Sequence, residues 1–125
     1  MPQDFTRCDM YERTMLFSVR IVRLVKSMPK GIAEDTIAKQ LSKSATSIGA
    51  NYREASHAKS PNDFAAKLKI CEGEAAETLY WLQLIIQSNL MPENMMQAIE
   101  QEAKELVAIL TTASRNAYAR RNIKH

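Results

Sequence analysis

One spacing constrains this chain more than any other. Phe64, Leu68, Cys71, Ala75, Thr78, Leu82 and Ile85 recur at intervals of 4, 3, 4, 3, 4 and 3. An α-helix turns once in about 3.6 residues, so these side chains form one stripe, whereas a strand would scatter them over both faces. The pattern is a heptad seam and commits its segment to packing against other helices. Only three Gly and four Pro interrupt 125 residues, which leaves room for further long helices.

Three more helical patterns flank the seam, and no strand pattern competes. The first covers about 9–28, with Phe17, Ile21, Leu24, Val25 and Met28 inward and Pro29-Lys30-Gly31 as its stop. The second covers about 34–58, with Ile37, Leu41, Ala45, Ile48, Tyr52 and Ala55 on one face. The third, about 61–88, opens on Ser60 as N-cap, Pro61 at the first position and Asp63 at the positive helix end. Asn89 is suited to a left-handed stop. The fourth covers about 92–118, with Met95, Ile99, Ala103, Leu106, Leu110, Ala113 and Ala117 as its stripe, and 119–125 reads as a loose basic tail. Short connections make consecutive helices antiparallel. The expectation is one all-α domain, an up-down-up-down four-helix bundle. At 46% apolar and 25% charged, the composition is that of an ordinary globular protein with a real core.

The run Ser44 to Ala55 lies inside the second helix but is written in Ser, Thr, Gly and Asn. These are poor helix formers, Gly by about 1 kcal/mol relative to Ala. Close packing must offset that cost. Beside the apolar face runs a small polar stripe of Gln40, Ser44, Ser47, Asn51 and Glu54, with Gly49 nearby. It reads as a close helix–helix contact, with Asn51 and Glu54 hydrogen-bonding across it as a polar lock that fixes register. A ligand-lined pocket is the alternative.

The third helix carries a second, unneeded apolar face: Ala66, Ile70, Gly73, Trp81 and Leu84, interrupted by Glu77. A monomeric bundle needs one such face per helix. The surplus, with the single Trp on it, points to self-association. A wide stripe buried within the protomer is the alternative.

Charge is unevenly spread. Residues 1–31 carry +3 and residues 32–60 carry +1, while 61–91 carry −2, 92–114 carry −3 and the last eleven residues +4. Lys39, Lys43 and Arg53 share an outer stripe of the second helix, and Arg20, Arg23, Lys26 and Lys30 flank it on the first. Such a surface can meet phosphates without reading bases, so RNA or DNA is an expected partner. No RNP-like strand, GXXG loop or zinc spacing is present. A protein-interaction adaptor that docks a partner enzyme is the competing expectation.

Catalysis finds no support. His57 and the terminal His125 have no triad motif around them. Glu72, Glu74 and Glu77 do not share a face and lack the Glu-x-x-His of di-iron bundles. No metal, cofactor or phosphate-binding glycine loop is expected. No apolar run approaches the ~20 residues of a membrane span. Asp4 and Asp9 interrupt any signal core, and the widely separated Cys8 and Cys71 fit a reduced, cytoplasmic setting.

Several motifs in order carry a family resemblance. They are Met28-Pro29-Lys30-Gly31, Asp35 to Leu41, Ser44 to Ala55, Asp63-Phe64 with Lys67-Leu68, and Glu74-Ala75-x-Glu77-Thr78-Leu79-Tyr80-Trp81-Leu82. Together they resemble the four-helix-bundle proteins encoded in intervening sequences of bacterial 23S ribosomal RNA genes. The resemblance covers about Phe17 to the end of the third helix, and the fourth more weakly. It implies an antiparallel bundle assembled as a ring-shaped homopentamer. It also implies distant kinship with the accessory variability protein of diversity-generating retroelements, a basic pentamer that binds nucleic acid and a reverse transcriptase. Within the family signature fall Ser47, Asn51 and Glu54. The first ten residues and the basic tail lie outside the resemblance.

Overall fold

The computed structural model describes residues 7–123, with side chains described over 10–121. Asp4, Lys124 and His125, and the side chains of Cys8 and Asp9, fall outside those limits. Among the described residues there are four helices and no strand: α1 (Arg7–Ser27), α2 (Ile32–Ala55), α3 (Pro61–Gln87) and α4 (Glu93–Ile123).

The helix ends follow local chemistry. α2 starts at Ile32, earlier than the apolar pattern, because the Gly31 carbonyl already accepts the Asp35 N–H at 2.8 Å. It stops at Ala55, earlier than expected, where the bonds tighten to His57 N–H on Glu54 O and Ala58 N–H on Ala55 O. α3 begins as the sequence requires: the Ser60 side chain accepts the Asp63 N–H at 3.0 Å and Pro61 follows. At its other end Asn89 has φ 58°. Leu90 N–H reaches Ile85 O and Asn89 N–H reaches Ile86 O, both at 3.1 Å, which is a Schellman stop. α4 corrects the expected loose tail by continuing to Ile123. Arg120 and Arg121 oppose the negative helix end, and the Arg121 guanidinium stacks on the Tyr118 ring at 4.5 Å.

Each helix packs on its successor, and α1 touches α4 only lightly. Thr14 lies against Gly49 and Tyr11 against Tyr52, so α1 and α2 run antiparallel. The pairs Thr78–Ser44, Cys71–Ile48 and Lys67–Glu54 show the same for α2 and α3. Arg13 bridges the thin seam between α1 and α4, with Nε 2.7 Å from Glu102 and an Nη 2.7 Å from Glu105.

The core runs along these seams, and Phe17, Ile21, Leu41, Ile48, Leu82, Ile85, Leu106 and Leu110 are sealed from solvent. Two expected stripes shift by one residue. Met96 is fully buried while Met95 is 54% exposed, since Met96 continues the alternating 3,4 spacing through Ile99 and Ala103. Further along, Ser114 is buried and Ala113 half-buried. In α3 Ala65 is buried and Phe64 rests half-buried at the core edge in the first helical turn. No described helix is long and apolar enough to cross a membrane.

Candidate functional site

The small-residue run of α2 faces both its neighbours. On the α3 side Ser44 is buried, and the Thr78 hydroxyl lies 2.9 Å from Ser44 Oγ and 2.8 Å from the Glu74 carbonyl. Glu54 does reach across, pairing with Lys67 Nζ at 2.8 Å and raising the lysine's pKa. Asn51 does not. Its amide donates to Ser47 O in its own helix at 2.8 Å, and Ser47 likewise bonds Lys43 O at 2.7 Å. The lock is therefore Ser44–Thr78 and Glu54–Lys67. An amide four residues after a free lone pair satisfies itself locally. On the α1 side, a Cβ at Gly49 would come 3.2 Å from Thr14 Oγ1, so this glycine sets the closeness of the α1–α2 crossing.

Along that crossing lies an open groove of about 730 Å³ between the two helices. Thr46, Gly49, Ala50, Arg53 and Glu54 line it from α2, and His57 from the turn that follows. Tyr11, Thr14, Met15 and Ser18 line it from α1. Arg53 lies 5.4 Å from the centre of the Tyr11 ring, and the Tyr11 hydroxyl hydrogen-bonds Ser56 Oγ. This groove was not legible in the sequence. Its floor is small because Thr46, Gly49 and Ala50 are small, but its existence depends on how α1 crosses α2.

The seven basic residues separate into groups. Antiparallel pairing brings Lys39 and Lys43 level with the second half of α1, near the turn that holds Lys30. Arg53 stands at the opposite end, ten residues or about 15 Å beyond Lys43 along the helix. At about 100° per residue, Arg20 falls on the side of α1 that carries Arg13 and faces α4. Lys39, Lys43, Arg23, Lys26 and Lys30 are exposed. None of the seven forms an ion pair among the described residues, whereas Arg13, Lys67, Lys69 and Lys104 all do.

On α3, Gly73 points straight out: a Cβ there would meet nothing within 4 Å. Ala66 and Ile70 beside it are exposed, while Trp81 and Leu84 are half-buried against the core edge. Tyr80, 56% exposed, meets the Trp81 ring edge-on at 4.9 Å. The Trp81 indole N–H donates to Glu77 at 3.1 Å. The Glu74 carboxyl is raised in pKa by burial and by Glu77 beside it.

No group of three or more potential metal ligands occurs among the described residues. Cys71 is buried, its Sγ 3.7 Å from Ile48 O, and burial pushes its thiol up to about 12, which makes it a core residue and a poor nucleophile.

Comparison with known proteins agrees with this architecture. A crystal structure of a protein of unknown function from the S23 ribosomal protein family of Bacteroides thetaiotaomicron superposes with a TM-score of 0.79 at 36% identity. The match covers 87% of this chain and 97% of that one. No curated protein matches the chain. The profile of the 23S rRNA-intervening sequence proteins matches residues 6–112, nearly the whole bundle including most of α4. The chain therefore belongs to the 23S rRNA-intervening sequence protein family.

Proposed function

We propose that this protein is a non-enzymatic, homo-oligomeric helical scaffold in the cytoplasm that binds RNA or DNA through a basic surface. The observation that carries this reading is the unpaired state of the cations. Lys39, Lys43, Arg23, Lys26 and Lys30 stand exposed and form no salt bridge among the described residues, and of these Lys43 has Glu74 near enough to favour its charged carboxylate. Unpaired exposed cations are available to phosphates at no cost in broken ion pairs, and they supply affinity without base readout. In this reading the surface is the end of the bundle near the α1–α2 turn, and Arg53 belongs to the groove. The exposed Ile70 and the outward Gly73 support self-association, and the family resemblance makes a pentamer the expected assembly. Several copies of a weak patch then act together.

The test is anisotropy of labelled structured RNA across a salt series. Lys26→Glu, Lys39→Glu and Lys43→Glu together should weaken binding at least tenfold and flatten its salt dependence. Wild-type protein that ignores RNA and DNA at low salt contradicts the reading and favours the adaptor function, for which the open groove is a docking place.

A further inference from the structure

We infer that the far end of α4 is a second phosphate-binding surface, at the opposite end of the bundle from the cations of the α1–α2 turn. It rests on the nucleic-acid reading proposed above and adds Arg115, Arg120 and Arg121, which the turn surface does not contain. The charge along α4 is the first observation. Glu93, Glu100, Glu102 and Glu105 occupy its first half, and no acid follows Glu105. The three arginines all come later. At about 100° per residue they stand about 100–140° apart, so they ring the helix end instead of sharing a stripe. Arg115 and Arg120 are exposed, and none of the three forms an ion pair among the described residues. The helix dipole favours cations only in the last turn. Arg115 stands eight residues before Ile123, so the dipole does not account for it.

The register of the helices shows what surrounds this end. The Lys67–Glu54 and Thr111–Glu72 contacts bring Arg115 level with the Lys67–Glu54 pair. Arg120 and Arg121 then lie level with the turn 56–60, which adds Lys59 and His57. Three acids share this end among the described residues: Glu12, Glu54 and Asp63. Glu54 is held by Lys67 at 2.8 Å, and the Asp63 carboxylate accepts the Lys59 backbone N–H at 3.3 Å. Against them stand six cations, with Arg53 and Lys59 beside Lys67 and the three arginines, so the end keeps a positive excess. Stacking on Tyr118 covers one face of the Arg121 guanidinium and leaves its edge donors for a ligand. That planar fork pairs bidentately with phosphate. A ring of such charges suits the repeated phosphates of a nucleic-acid backbone better than one small anion. The three arginines lie beyond residue 112, where the match to the family profile ends, so the family assignment does not supply this surface.

The test is the joint variant Arg115→Gln, Arg120→Gln and Arg121→Gln, which removes charge with little change in helix propensity. Anisotropy of a labelled hairpin RNA across a salt series should show binding weakened at least tenfold. The slope of log affinity against log salt should become shallower by about two to three, since each duplex phosphate contact contributes about 0.9. Helical circular dichroism should stay at the wild-type level. The matching Arg→Lys variant keeps the charges and should keep the wild-type slope, which separates loss of charge from loss of structure. If the glutamine variant binds like wild type while the lysine-to-glutamate variant above loses binding, the α4 surface is overturned and the turn surface stands. The reverse result upholds α4 and overturns the turn surface. Wild-type protein that ignores RNA at low salt overturns both.

Discussion

The two sides of α2 solve opposite problems with the same small residues. Toward α3 the helix closes completely: Ser44, Ala45 and Ile48 are sealed, and the Thr78 hydroxyl and the Cys71 thiol find partners within the seam. Toward α1 the helix meets Thr14 at Gly49 and the Tyr11 ring at Tyr52, and an open groove runs along the outside of that contact. A small residue against a neighbouring helix brings backbones together. The same residue one turn away, with no helix over it, leaves a trough. The lesson is that a small-residue stripe becomes an interface or a site according to what crosses it.

The sharpest way to break the comparison is to truncate on each side. Leu41→Ala, in the closed core, should cost about 2–5 kcal/mol in urea unfolding. Met15→Ala, in the groove, should stay within about 0.5 kcal/mol. Equal costs would mean that the groove is a packed seam. Next in size is the buried hydroxyl pair. Thr78→Val leaves Ser44 with only Leu41 O, 3.4 Å away, and should cost about 1–3 kcal/mol. Thr46→Ala, which removes an exposed hydroxyl bonded to its own helix, should change unfolding little.

Cys71 sharpens the comparison through pH. Its folded thiol is raised to about 12, above the unfolded value of about 8.5. Above that value the unfolded chain holds fewer protons than the folded one, so stability falls as pH rises. The loss should approach about 1.4 kcal/mol per pH unit between the two values, with no thiol contribution below. Cys71→Ala should remove that slope. Native protein should also leave Cys71 unlabelled by a thiol reagent until it unfolds, and rapid native labelling would show that the closed seam opens.

The smallest effect compares two glycines. Gly73→Ala should raise protomer stability by up to about 1 kcal/mol, the full helix-propensity gain. At Gly49 the same change presses on Thr14 at 3.2 Å and should gain less or lose. Equal gains at both positions would remove the distinction between the crossing and the open face.

How much of this was legible beforehand depended on distance along the chain. The α3 seam, the Ser60 cap and the Asn89 stop are set by neighbours within a turn or two, and periodicity found them. Met95 against Met96 was not decidable, because either continues a helical stripe and only packing chooses. Asn51 lies on the stripe that points to the interface, yet its amide bonds a carbonyl four residues back in its own helix. The basic residues were visible as a set, but their separation into a turn-end surface and a groove cation needs the antiparallel register of α1 and α2. The groove itself depends on the crossing at Gly49, a relation between residues 35 apart, and no local pattern encodes it. Gly73 was read as part of an outer face. That it meets nothing in its own protomer emerged only from the packed bundle.

The central claim is that the outer face of α3 is incomplete in a single protomer. Light scattering of the purified wild-type chain at micromolar concentration tests it most directly. The account predicts a particle of several 14.2 kDa protomers. A single protomer at every concentration would contradict it.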